Sequence, residues 1–92
     1  MNAAGNKRTP KDFPIEKYLK EIQENMGKDI TINIIVNGKS VREVVGKIDH
    51  ATSRFFGVRV YKGTDSFVET FMFSEVFTGH VIYSLGLPEL EQ

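Results

Sequence analysis

Few residues in this chain have the chemistry for catalysis. His50 and His80 are the two histidines. Asp49 precedes His50, and a carboxylate beside an imidazole can orient a general base. Adjacent residues at a strand end point apart, however, so Asp49 reads as a turn-forming Asp. Neither histidine belongs to a His-Glu-x-x-His pattern or to a cluster of acids at metal-ligand spacing. Ser53, Ser66, Ser74 and Ser84 offer hydroxyls, but none sits in a Gly-x-Ser-x-Gly elbow, and no glycine-rich phosphate loop occurs. The chain has no cysteine, which removes thiolate nucleophiles, disulfides and cysteine-based metal sites. These residues predict a binding protein, not an enzyme, with no cofactor and no metal.

Binding chemistry is better represented. The run Arg54-Phe55-Phe56-Gly57-Val58-Arg59-Val60-Tyr61 interleaves rings with guanidinium groups, as single-strand nucleic-acid platforms do. In a strand, Phe55, Arg59 and Tyr61 share a face; they either stack on bases or cover the core beneath a helix. Lys28, Lys39, Arg42 and Lys47 extend the basic set. Net charge is zero, but it is unevenly placed. Lys7, Arg8 and Lys11 make the start basic, residues 27–66 carry an excess of Lys and Arg, and residues 67–92 carry Glu69, Glu75, Glu89 and Glu91 with no Lys or Arg. Such polarity suits an acidic partner or is ordinary solvated surface.

The elements that must position these side chains follow from periodicity. Residues 1–11 are rich in Asn, Gly and charge and are expected to be a disordered arm or a remnant of expression. A single domain is expected over residues 12–85, with a frayed tail over residues 86–92. Pro14 suits a helix start, with Asp12 upstream adding favourable negative charge. Ile15, Tyr18, Leu19, Ile22 and Met26 then recur at helical spacing, and Gly27 is the expected stop. From Asp29 the period changes to two: Ile30, Ile32, Ile34 and Val36 alternate with Thr31 and Asn33, and the run ends at Asn37-Gly38, the signature of a tight hairpin. In the next strand Val41 is out of phase with Val44, Gly46 and Ile48, which predicts a bulge near Arg42-Glu43. A third strand is expected over residues 55–61 and a fourth over residues 67–73, with Phe67, Phe71 and Phe73 on one side. Ser74-Glu75 reads as a helical cap and short turn, and a last short strand should cover residues 80–84.

One helix, then five short strands with tight connections and a bulged second strand, predicts a mainly β fold, a small SH3-like or Sm-like five-stranded barrel with an N-terminal α-helix. An Sm-like RNA ring would want an Asp-x-x-Met-Asn type loop after strand two, whereas Asp49 is followed by His50-Ala51-Thr52-Ser53-Arg54. The longest apolar runs are far short of the roughly 20 residues that span a bilayer, and no signal-type apolar stretch follows the polar start. With cysteine absent, the chain reads as a cytoplasmic protein without membrane contact. Its small core and exposed edge strands leave room for a homodimer.

The segments Gly27-Lys28-Asp29-Ile30-Thr31-Ile32, Asn37-Gly38-Lys39, Arg42-Glu43, Gly46-Lys47-Ile48 and Ser53-Arg54-Phe55-Phe56-Gly57-Val58 carry a resemblance, joined by Ser66-Phe67-Val68-Glu69 and Phe73-Ser74-Glu75-Val76-Phe77-Thr78. Across residues 15–83 the chain resembles the Veg family, small cytoplasmic regulatory proteins of low-GC Gram-positive bacteria. It departs at Phe73, Glu75 and Phe77, where the family has Tyr, Asp and Leu, and at Thr52 and Arg54, where it has Tyr-Pro-Ser. The resemblance implies an SH3-like barrel, no catalysis, and a regulatory role in biofilm formation through contact with a transcriptional regulator. The expected partner surface is the rim bearing Asn37, Arg42, Arg54, Phe55, Arg59, Ser74 and Glu75. The competing nucleic-acid surface comprises Lys28, Lys39, Lys47, Arg54, Phe55, Arg59 and Tyr61.

Overall fold

The computed structural model describes residues 14–88; the expected arm and the last residues of the expected tail lie outside them. Helix α1 (Ile15–Gln23) is followed by strands β1 (Asp29–Val36), β2 (Lys39–Ala51), β3 (Phe55–Lys62) and β4 (Asp65–Met72), a short helix α2 (Phe73–Phe77) and strand β5 (Val81–Leu85). The strands form one antiparallel sheet in the order β4-β3-β2-β1-β5. The fold is mainly β with one N-terminal helix, as expected. No ladder joins β4 to β5 among the described residues, so the sheet does not close.

The sheet nevertheless curls. Arg42 on β2 donates a two-pronged hydrogen bond to Glu69 on β4, at 2.5 and 2.7 Å. Glu69 stands opposite Val58, and Val58 opposite Ile48, so on a flat sheet Arg42 would lie six residues, about 20 Å, along β2 from the position level with Glu69. The contact forms because β2 bends until its first half faces β4 across the concave side. Two bulges help. The β1 register passes from Ile34↔Arg42 to Ile35↔Ser40, leaving Val41 as the extra residue, one position before the expected Arg42-Glu43. The β3 register passes from Ile48↔Val58 to His50↔Gly57, making Asp49 a second extra residue that the sequence reading did not anticipate. Between them Gly46 permits close approach: a Cβ there would sit 2.3 Å from the Arg59 carbonyl oxygen and 2.7 Å from a Val58 methyl.

The concave side holds the core. Ile30, Ile32, Val44, Ile48, Phe56, Val58, Phe71 and Val81 face inward with Phe73 of α2 and Ile22 of α1. Tyr18 of α1 stacks on Phe73, with centroids 6.2 Å apart, and meets Tyr83 edge-on. The expected helical stripe therefore packs inward through Ile15, Tyr18, Leu19 and Ile22. Met26 does not: the helix ends at Gln23, the chain turns over residues 24–27, and Met26 is exposed. Gly27 is therefore not the helix stop: the helix is capped at Glu24, and Gly27, with a positive φ, turns the chain toward β1 and donates its N–H to Ile48 O of β2. The hairpin tip Asn37-Gly38 has φ of 53° and 76°, the pair of left-handed conformations a type I′ turn requires.

Three further local expectations need correction. Phe73 is not the end of the fourth strand but the first residue of α2, because turning there places its ring in the core. Ser74 is consequently not the cap: Met72 occupies that position, without a side-chain cap bond. Gly86 is not frayed, since its N–H donates to Asp29 O and its carbonyl accepts from the buried Thr31 hydroxyl.

Replacing Gly46 by Ala should destabilise the protein by about 2–3 kcal/mol in urea unfolding, since the strand must move off the Arg59 carbonyl. Tyr83 offers a second check. Burial first, then its hydrogen bond to Glu21 at 2.5 Å, raises the phenol far above its ordinary value of about 10. The stability this confers is complete below that ordinary value and is lost as pH rises beyond it. Tyr83→Phe should flatten the alkaline side of the stability–pH curve, measured by unfolding between pH 8 and about 11.

Candidate functional site

The expected partner residues divide between places. Arg54, Phe55, Ser74 and Glu75 come together at the end where β2 passes into β3. The Thr52 hydroxyl accepts from the N–H groups of Arg54 and Phe55 at 3.1 and 3.2 Å, and Thr52 N–H donates to Phe55 O, which fixes this three-residue loop. Phe73 N–H then donates to Arg54 O at 2.9 Å, docking α2 beside it. Arg54 and Glu75 are both exposed, and the Arg54 guanidinium has no hydrogen-bond or ion-pair partner among the described residues. Phe55 pairs across the ladder with Met72, which is 43% exposed. An unpaired cation, a carboxylate and partly exposed apolar side chains thus share one end of the molecule.

Asn37 lies at the hairpin tip, at the opposite end of the 13-residue β2. Arg42 is on the concave side, held by Glu69, which raises its pKa by hydrogen bonding and charge. Arg59 lies on the convex side. The seven expected residues therefore do not form one rim.

The nucleic-acid set is dispersed in a different way. Lys47, Arg59 and Tyr61 do gather on the convex face, where Lys47 and Arg59 are cross-strand partners. With Met26 and Asp49 they line a groove of about 300 Å³. Both cations are engaged: Lys47 Nζ binds Asp29 at 2.8 Å, and Arg59 binds Asp49 at 3.1 Å and the Ser66 hydroxyl at 3.0 Å. The Asp29 hydrogen bond, with its charge, raises the Lys47 pKa. Lys28, in the turn before β1, adjoins this group: its carbonyl accepts the Ile48 N–H and it lines a neighbouring groove with Asp29 and Lys47, whereas Lys39 begins β2 at the hairpin and does not join it. Phe55 packs edge-on against His50, centroids 6.0 Å apart.

Asp49 and His50 were expected to point apart, and they do not. Asp49 Oδ2 meets His50 Nδ1 at 2.9 Å. Asp49 is the bulged residue, and the extra position puts two successive side chains on the convex face. The His50 ring lies over Gly57, where a Cβ would fall 2.3 Å from its Cε1. A signal for this bulge was present: Ala51, which pairs with Phe56 and packs on the core, is out of phase with Val44, Gly46 and Ile48. The other histidine, His80, contacts the Thr78 hydroxyl through Nδ1 at 2.9 Å.

Hydrogen bonds from His50, then Arg59, hold the Asp49 carboxyl below its ordinary value. A lowered carboxyl pKa gives stability that is present above about pH 4 and lost as pH falls through the lowered value. Asp49→Asn should remove that part of the acid dependence and release Arg59. Chemical unfolding between pH 2 and 5 checks the first, and the NMR signal of the Arg59 side-chain Nε–H the second.

No protein-family model matches the sequence, and no similar curated protein was found.

Proposed function

We propose that this chain is a non-catalytic regulatory protein that acts by binding a protein partner through the end formed by residues 52–55 and α2. One observation carries the reading: Arg54 presents an exposed, unpaired guanidinium where Phe73 N–H docks α2, the helix that bears the exposed Glu75, whereas Arg42, Lys47 and Arg59 each hold a carboxylate. Phosphate contacts need cations free to replace counterions. A surface with one free cation, one acid and apolar area from Phe55 and Met72 suits a mixed protein surface better. The Asp49–His50 pair is occupied in supporting Gly57 and Arg59, which favours a structural over a catalytic role.

The curled sheet is read as a half-open SH3-like barrel. Support comes from the meander β1-β2-β3-β4, the return of β5 beside β1, the bent and bulged β2, and the helical turn α2 before the last strand. This agrees with the resemblance to Veg proteins, and with it come the expectations of a cytoplasmic setting, a transcriptional regulator as partner and a role in biofilm formation.

Two measurements test the reading. Fluorescence anisotropy with mixed-sequence single- and double-stranded oligonucleotides should show no salt-dependent binding; tight binding that weakens steeply with salt would restore the nucleic-acid reading. Arg54→Glu and Glu75→Lys should each weaken capture of partner proteins from a Gram-positive bacterial lysate at least tenfold, about 1.4 kcal/mol, with unfolding curves unchanged. Equal capture by wild type and both variants would rule out this end as the interface.

A further inference from the structure

The two free edges of the sheet differ. Ile35 N–H donates to His80 O, and Gly86 N–H to Asp29 O, both at 2.8 Å. These bonds fix the phase of the β1–β5 ladder: Ile82 and Ser84 turn their backbone groups toward β1, so Val81, Tyr83 and Leu85 direct theirs outward. Native edge strands are blunted by charge, proline, bulges or inward-pointing charged residues. β4 has such protection, beginning at Asp65 and carrying Glu69 on its inner side. β5 reads Val-Ile-Tyr-Ser-Leu and has none. Ile82 is 51% and Leu85 39% exposed. Beside this strand runs a groove of about 340 Å³ walled by Tyr18 and Glu21 of α1, Val76 of α2 and β5 itself. Its one charged side chain, Glu21, already accepts the Tyr83 hydroxyl.

We propose that β5 pairs antiparallel with β5 of a second copy about a two-fold axis at Tyr83, joining the two sheets into one. The outward groups are symmetric about Tyr83, so this register alone uses them all. Val81 faces the partner's Leu85, Tyr83 the partner's Tyr83, and each such pair exchanges two backbone hydrogen bonds, about six in total. On the convex side Ile82 faces the partner's Ser84. No charge opposes another anywhere along the pairing. A neutral, apolar edge beside a groove without a free charge matches a neutral, apolar strand, and β5 is the only uncharged strand among the described residues. The symmetric contact closes on itself and stops at two copies. The groove includes neither Arg54 nor Phe55, so dimerisation and partner binding can fail separately.

Sedimentation of the full chain over about 1–100 μM should give twice the 10.4 kDa chain mass. Ile82→Lys, a charge on an exposed edge position, should return the monomer with an unchanged circular dichroism spectrum; Ser84→Lys repeats the test should that variant unfold. Because the chain lacks cysteine, the register can be read by oxidation. Ile82→Cys mixed with Ser84→Cys should give a disulfide-linked pair, since these positions face each other as a non-hydrogen-bonded pair with Cα atoms about 4.5 Å apart. Either variant alone should cross-link at least fivefold less. A monomer at every concentration overturns the proposal, and so does a dimer insensitive to both lysine variants or lacking the mixed disulfide. A dimer that forms only after residues 1–11 are removed would show instead that the chain's own arm covers the edge.

Discussion

The bend of β2 is the constraint from which the rest of this structure follows. The strand serves two halves of a sheet at once: its first half pairs with β1, and its second with β3. A flat strand would leave two thin sheets with apolar faces in water, and the described residues form no other layer of strands to cover them. Bending turns one sheet into its own second layer. Gly46 allows β2 to press on the Arg59 carbonyl, the bulges at Val41 and Asp49 take up the change in path, and the Arg42–Glu69 fork spans the concave side once the bend is made. Helix α1 then fills one side of the resulting cup with Ile22 and Tyr18.

The same bulges decide what the surface can do. An inserted residue reverses the alternation of every side chain beyond it. Past Asp49, Ala51 returns to the core while His50 moves to the convex face beside the carboxylate that precedes it. Asp49 therefore stands between an imidazole and a guanidinium, and Arg59 is drawn into an ion pair. Lys47 is held separately by Asp29 of β1, so each cation of this cross-strand pair has its own carboxylate. A device that shapes the backbone thus also carries the carboxylate that engages Arg59 on the convex face.

Much of the fold was legible because it rests on local rules. The helical stripe, the Asn37-Gly38 turn and the bulge near Arg42 each leave a mark within a few residues. Phe73 was misread because its neighbours continue a strand pattern, and only the need to fill the core beside Phe56 turns the chain there. Closure into a barrel was overread, since a bulge reports curvature but not whether the end strands meet. Residue types gave a sound list of site candidates but not their grouping. Whether Arg54, Arg42 and Arg59 act together depends on which carboxylate each one meets, and Glu69 lies 27 residues from Arg42 in the chain. Arg54 and the helix bearing Glu75 share one end only because Phe73 N–H reaches the Arg54 carbonyl.

An open sheet must also leave two edges, and the chain treats them unequally. Glu69 does two things for β4: it anchors the bend through Arg42, and it sets a charge on the inner side of that edge, where an added strand would have to desolvate it. The corresponding device on β5 is missing because its inward positions are already committed. Val81 is in the core, and Tyr83 must reach both Phe56 and Glu21, so a charged residue at either place would cost core packing. The outward positions, Ile82 and Ser84, carry no such constraint, yet they too are uncharged. Neutrality at these two exposed positions is not required by the core, and it fits the edge pairing proposed for β5.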